Sequence, residues 1–211
     1  VLKKQDPAFM HKYDLSSLKH IFMAGEPLDQ PTHEWFMTEL QKPVIDNYWQ
    51  TETGWPMLAA LPGVENTPIK YGSPSFPVYG DNLKIFREDG SECAANEKGI
   101  AAVIPPLPPG CLSTVWGQDE RFISTYFDLF KDPLVYSSYD WAIKDDDGYY
   151  TILGRTDDVI NVAGHRLGTR EIEEAIQNHP AIAEVAVVGV EDKLKGQVPM
   201  AFAVVKDAAR V

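Results

Sequence analysis

The sequence predicts an α/β fold laid down in three successive textures, and three observations carry that reading. The first fifty residues hold a strand, a helix and a second strand joined by short turns. The middle holds short strand-like runs punctuated by Gly, Pro and acidic turns, the pattern of a small β-barrel-like or distorted sheet. The last part turns to a helix followed by two Val- and Ala-rich runs, the pattern of an α+β domain.

Taken in order, residues 18–23 (LKHIFM) read as a short buried strand, and Ala24-Gly25-Glu26-Pro27 as the turn leaving it. Asp29 is placed to cap a helix, with Pro31 in the first turn where a missing N–H costs nothing. Trp35, Phe36 and Leu40 share one face at helical spacing, and Pro43 closes the helix near Gln41. Residues 44–49 (VIDNYW) form the second strand, followed by the polar loop Gln50-Thr51-Glu52-Thr53-Gly54. A strand-helix-strand unit implies parallel strands, so both polar turns leave carboxyl ends, where open α/β sheets bind ligands. Next, strands over 82–87 and 99–104 flank Asp89-Gly90, and strands over 141–144 and 149–153 flank an acidic DDDG turn. One helix is expected within 119–130. Beyond Arg155 come a strand over 158–162, a loop at Ala163-Gly164-His165-Arg166 and a helix capped by Thr169 and stopped by Pro180. Strands over 183–190 and 198–205 complete the pattern.

Composition narrows the function. The chain has 44% hydrophobic and 24% charged residues, enough apolar material for a packed core. A net charge of −12 argues against binding nucleic acid or an anionic membrane surface, both of which reward clustered positive charge. Prolines 105, 106, 108 and 109 break the longest apolar run, so it cannot serve as a membrane span. Two cysteines, Cys93 and Cys111, give no disulfide framework, and the five histidines have no zinc-site spacing. A cytoplasmic setting is expected, with small-molecule substrates and no obligate protein partner. No GxSxG elbow, Walker A loop or dinucleotide fingerprint is present.

Singly, the polar motifs have bland alternatives. Gly25-Glu26-Pro27 is commonly just a turn. Tyr48 and Trp49 are either aromatic core at a strand end or the wall of a pocket. Thr51, Glu52 and Thr53 are a solvated loop or helix cap, or else hydroxyls for phosphate oxygens beside a carboxylate for Mg²⁺. Asp140 is a surface turn acid or a bidentate acceptor for a vicinal diol such as ribose. Arg155 and Arg166, taken one at a time, are ordinary surface cations.

Together the motifs say more. AGEP, then YWQTETG, then an aspartate ahead of DGYYTILGRTDDVINVAGHRLGTREIEEAI resembles the acyl-adenylate-forming, AMP-forming acyl-CoA synthetase family across nearly all 211 residues. Gly54-Trp55-Pro56, the run LPPGC at 107–111 and the AGHR loop are most similar to its propionyl-CoA synthetase branch. The resemblance implies a partial adenylate-forming fold. Residues 1–71 would end the large α/β AMP-binding domain, 72–156 would form its barrel-like subdomain, and 157–211 would be the hinge and partial C-terminal domain. The implied reaction uses ATP, CoA and Mg²⁺ to convert propionate to propionyl-AMP and then propionyl-CoA. An acetyl-CoA synthetase, another adenylation domain and a non-catalytic nucleotide-binding module are the alternatives.

By the same resemblance, Gly25, Glu26 and Pro27 line the adenine pocket, with Tyr48 beside the nucleotide. Trp49 closes the acyl pocket. Gln50, Thr51 and Glu52 lie at the phosphates, with Glu52 near Mg²⁺. Asp140 and Arg155 hold the ribose, Asp157 is the interdomain hinge, Gly164 lines the pantetheine tunnel, and Arg166 approaches the phosphate. One departure stands out: many members carry glycine where this chain has Tyr139. The family's upstream phosphate loop and C-terminal catalytic lysine have no counterpart in the 211 residues. The expectation is therefore a fragment of a longer enzyme, inactive by itself.

Overall fold

A computed structural model describes residues 5–26, 28–130, 132–163 and 165–206. Pro27, Gly164 and the side chain of Arg166, all named above, lie outside the described residues. The chain divides into two compact units, Val1–Ser138 with Ala142–Ile152, and Tyr139–Trp141 with Leu153–Val211.

The first unit opens with a short 3-10 helix, Pro7–Lys12, capped by the Asp6 carboxylate, which accepts from the Ala8 amide at 2.9 Å. A three-stranded sheet follows, built from β1 (Ile21–Met23), β2 (Val44–Tyr48) and β3 (Leu58–Ala59), with helix α1 (Gln30–Leu40) between the first two strands. β1 and β2 pair in parallel, with Ile21 opposite Val44 and Met23 opposite Asp46, and α1 is the crossover that such a pair requires. Asp29 caps α1 as its sequence position predicts, its Oδ1 accepting from the Thr32 amide at 2.8 Å. At the other end Gln41 turns left-handed (φ 50°), so the helix stops two residues before Pro43. Phe36 packs into a cluster with Leu28 and Val44, while Trp35 and Leu40 are only partly covered. His33 is also core, its ring edge-on to Tyr71 at 4.9 Å, and burial pushes its imidazole below the usual range.

The second sheet has the order β4-β5-β6-β7, from Leu83–Phe86, Gly99–Val103, Tyr136–Lys144 and Tyr150–Arg155. Helix α2 (Asp119–Tyr126) precedes β6. All five residues of β5 are buried, and Gly99 has no room for a side chain: a Cβ there would sit 2.5 Å from both Cys93 Sγ and the Phe86 carbonyl. The strands expected of a barrel-like subdomain are present, but the sheet is open among the described residues. Four strands are too few to curl round and close, and the amide of Tyr150 on the outer strand β7 instead donates to the Ser75 carbonyl at 3.0 Å. Met57, Leu83, Ile85, Val103, Tyr136 and Ile152 are among the side chains filling the core of this region.

The second unit holds a sheet of order β10-β11-β8-β9, from β8 (Val159–Val162), β9 (His165–Gly168), β10 (Ile182–Asp192) and β11 (Gly196–Val205), with α3 (Thr169–Gln177) ahead of β10. Two local expectations change. His165 and Arg166 are not in a loop: they begin β9, paired with Val162 and Asn161, and the chain turns earlier, where Ala163 takes φ 49°. Thr169 does not cap α3 either. Gly168 holds that position without a side-chain bond, and the Thr169 hydroxyl donates to the Asp158 carboxylate at 3.0 Å. α3 lies against β10, where the Glu173 carboxylate accepts from the Val187 amide at 2.8 Å. Among the described residues no helix is long and apolar enough to cross a membrane.

One carboxylate of the first unit carries an unusual proton affinity. Asp81 lies between the 72–80 segment and β4, and burial pushes its carboxyl up to about 6. Because the folded value exceeds the unfolded one near 4, ionised Asp81 opposes folding. Its contribution is intact below about pH 4 and is lost as the pH climbs through 6. Asp81→Asn should therefore gain stability relative to the parent between pH 4 and 6 and hold that advantage above it. Urea unfolding of both proteins across pH 4–8 checks this, and a constant difference would contradict it.

Candidate active site

In the first unit, the expected site residues sit on the two loops that leave β1 and β2. The loop after β1 is pinned at both ends by side chains of β2. Asn47 Nδ2 donates to the Met23 carbonyl at 2.9 Å, and the buried Asp46 carboxylate accepts from the Leu28 amide at 3.2 Å. Gly25 lies between these anchors with φ 104°, a conformation that favours glycine, although a Cβ there would meet nothing within 4 Å. Glycine is needed at 25 for the path of the chain, not for space. Gly25 and Glu26 are exposed and, with Met23, Leu28, Asp29 and Thr32, line an open cleft of about 490 Å³. The sequence reading missed Asp46 and Asn47. The signal was there, since two polar residues interrupt an otherwise hydrophobic strand in VIDNY.

The loop after β2 is held more tightly. The Gln50 amide and the Thr53 hydroxyl are 3.1 Å apart, the Thr53 amide donates to the Gln50 carbonyl at 3.1 Å, and the Thr53 hydroxyl is within 3.0 Å of the Trp55 carbonyl. Thr53 is buried, so it ties the turn together from within, while Thr51 is exposed. Gly54 follows at φ 66°, and a Cβ there would lie 2.5 Å from the Gly110 carbonyl oxygen. The Leu112 amide donates to the Glu52 carbonyl at 2.6 Å, so the 107–112 run and the QTETG loop are docked on each other. Burial and the charge of Asp81 both push the Cys111 thiol up, leaving it neutral beside this loop.

The loop side chains also have fixed partners. Gln50 Nε2 donates to the Ser138 carbonyl at 2.7 Å, and its Oε1 accepts from the Tyr136 hydroxyl at 2.9 Å. The Glu52 carboxylate accepts from the Tyr126 hydroxyl at 2.6 Å. Tyr48 is half-buried against the core, and Trp49 is 46% exposed, so its indole is not sealed within the hydrophobic core. Among the described residues no three His, Cys, Asp or Glu side chains converge to hold a metal ion. The donor chemistry still suits Mg²⁺: the Glu52 carboxylate offers a hard oxygen of the kind that Mg²⁺ takes one or two of, alongside phosphates.

In the second unit, Asp140 is only 6% exposed, which excludes the surface-turn alternative. Tyr139 just before it takes φ 57°, the left-handed region that glycine adopts without strain. Its carbonyl accepts from the Thr156 amide at 2.8 Å, so the backbone just before Asp140 is held. Arg155 Nε donates to the Asp157 carboxylate at 3.1 Å, and this guanidinium holds the Asp157 carboxyl below its usual range. The structure thus joins Arg155 with the proposed hinge residue.

Comparison with known proteins places the chain in a family. Residues 1–103 match the family model described as AMP-binding enzyme, and residues 171–211 match that of the AMP-binding enzyme C-terminal domain. The propionate–CoA ligases of Escherichia coli (strain K12) and Salmonella typhimurium (strain LT2) are 58% and 54% identical over 209 residues, 99% of this chain and 33% of each ligase. An acetyl-coenzyme A synthetase of Campylobacter jejuni (strain 81-176) is 42% identical over 214 residues, 99% of this chain and 32% of that protein. A crystal structure of the anthranilate CoA ligase AuaEII in complex with anthranoyl-AMP superposes with a TM-score of 0.74 at 28% identity, covering 93% of this chain and 36% of that one. The chain belongs to the AMP-binding enzyme family, and its α/β architecture is a partial adenylate-forming fold. It spans about a third of the length of the curated relatives it matches.

The left-handed conformation at Tyr139 yields a direct test. An L-residue pays roughly 1–2 kcal/mol there that glycine avoids, while glycine brings extra unfolded-state entropy. Tyr139→Gly should be neutral to stabilising by about 1 kcal/mol, and Tyr139→Ala should gain nothing. Urea unfolding measures both. A large loss in the glycine variant would show that the ring's packing outweighs the backbone strain.

Proposed function

We propose that the chain is part of an AMP-forming short-chain acyl-CoA synthetase acting on propionate. What supports propionate over acetate is the identity pattern: two propionate–CoA ligases at 58% and 54% against 42% for an acetyl-coenzyme A synthetase, over the same span. The propionate carboxylate attacks the α-phosphorus of ATP, giving propionyl-AMP and pyrophosphate. The CoA thiolate then attacks the acyl carbon and expels AMP. In this reading Gly25, Glu26 and Pro27 take the adenine, with Tyr48 alongside, and Trp49 limits the length of the acyl chain. Gln50 and Thr51 meet the phosphates, and Glu52 would hold Mg²⁺ together with them. The chemistry Mg²⁺ supplies when bound is neutralisation of charge on the phosphate oxygens. Asp140 and Arg155 bind the ribose, Asp157 is the hinge, Gly164 lines the pantetheine path and Arg166 reaches the phosphate. The division at 1–71, 72–156 and 157–211 and a cytoplasmic location belong to the same proposal.

The buried, backbone-anchored Asp140 gives the sharpest test. In the enzyme that carries this chain, propionate-dependent ATP–pyrophosphate exchange should exceed acetate-dependent exchange modestly, since one methylene is worth about 1–3 kcal/mol. Asp140→Ala removes hydrogen bonds to a charged acceptor, about 1.5–3 kcal/mol each, and should raise the KM for ATP at least tenfold. Trp49→Gly should admit longer acids while weakening propionate. Higher efficiency with acetate would favour the acetyl-CoA synthetase reading. An unchanged ATP KM in Asp140→Ala would remove Asp140 from the ribose site.

A further inference from the structure

Two tyrosines from outside the QTETG loop hold the side chains that the loop presents. Tyr126 ends α2 and Tyr136 begins β6, and their rings stack with centroids 5.2 Å apart and planes 16° from parallel. Each hydroxyl reaches a different loop residue. Tyr126 donates to Glu52 Oε1 at 2.6 Å, and Tyr136 donates to Gln50 Oε1 at 2.9 Å. Phe127 buttresses Tyr136 edge-on at 6.0 Å, and Phe122 packs on both Tyr126 and Phe127. The pair is therefore a rigid platform, seated on an aromatic cluster, with two hydroxyls at fixed spacing.

We infer that Tyr126 and Tyr136 are positioning residues for the nucleotide site: Tyr126 orients the Glu52 carboxylate toward the metal on the ATP phosphates, and Tyr136 orients the Gln50 amide. The chemistry follows from the bonds. A phenol O–H on one carboxylate oxygen fixes the carboxylate plane and directs the other oxygen outward, as a single-carboxylate Mg²⁺ site requires. A carboxylate without that bond samples several rotamers and must be ordered at the moment of binding. The Gln50 amide is held from both ends, by Tyr136 on its oxygen and by the Ser138 carbonyl on its nitrogen, so its orientation is fixed before any nucleotide arrives. This inference rests on the reading of Glu52 and Gln50 as phosphate-side residues.

Calorimetric titration separates the two roles without relying on turnover. It is done with the enzyme carrying this chain, using ATP with excess Mg²⁺ and ATP with a chelator. Tyr126→Phe keeps the ring stack and removes only the hydroxyl. It should weaken binding of the Mg²⁺ form at least about fivefold and leave metal-free ATP binding unchanged. Tyr136→Phe should weaken both forms alike. In a Glu52→Gln background, Tyr126→Phe should add nothing further. Equal losses for both forms in Tyr126→Phe, as from a merely structural defect, or no loss at all, would overturn the positioning role. If Glu52→Gln binds the Mg²⁺ form as tightly as the parent, the assignment of Glu52 itself is wrong and the role of Tyr126 falls with it.

Discussion

The buried carboxylate of Asp46 is the constraint on which the carboxyl end of the first sheet depends. It sits within β2, 7% exposed, with its oxygen on the amide of Leu28. A buried carboxyl group is tolerated only if hydrogen-bonded, and one partner of this one lies on the loop after β1. The adjacent Asn47 reaches back to the last carbonyl of β1. The pair therefore fixes where the 24–28 loop leaves the sheet and where it rejoins α1. Parallel pairing of β1 with β2 puts both anchors at the carboxyl end, beside the loop that β2 itself emits. Removing either anchor would take a hydrogen-bond partner from the loop's backbone and free the loop at one end, so local stability and the path of the loop are coupled there.

The second loop is organised on a different principle. Its backbone closes on itself through Thr53, and a neighbouring segment lies so close that only glycine fits at 54. Close approach of Gly54 to Gly110 and the bond from Leu112 to Glu52 make the LPPGC run a structural neighbour of the QTETG loop. Two stretches some sixty residues apart are thus joined into one piece of structure.

Local patterning in the sequence was legible where one interaction decides the outcome. The Asp29 cap, the parallel strands around α1 and the hairpin between β4 and β5 follow from caps, periodicity and turns that act over a few residues. Thr169 and His165 were misjudged for the same physical reason. A threonine before a helix reads as a cap, but here its hydroxyl is taken by Asp158, eleven residues upstream, and a tertiary partner outbids the local one. His165 follows a glycine and looked like loop, yet pairing with Val162 draws it into a strand. His33 was invisible as core because its polarity hides the helical stripe that Phe36 shares. Among the site residues, the resemblance supplied the list. The structure added what spacing cannot: Asp140 is buried, Arg155 is joined to Asp157, and Gln50 and Glu52 are each gripped by a tyrosine.

The left-handed backbone at Tyr139 has a consequence for how this position can vary. The strain belongs to the main chain but depends on the residue that bears it: glycine avoids it, Asn and Asp meet it most readily, and β-branched residues least. Exchange of Tyr139 for a β-branched residue therefore adds backbone penalty, and exchange for asparagine or aspartate relieves some of it. Position 139 is therefore a filter beside a buried acid, set by the main chain as well as by the half-buried side chain that stands there. A directed library at this one residue should return glycine, asparagine and aspartate more often than valine, isoleucine or threonine, because only the former keep the path of the strand that carries Asp140.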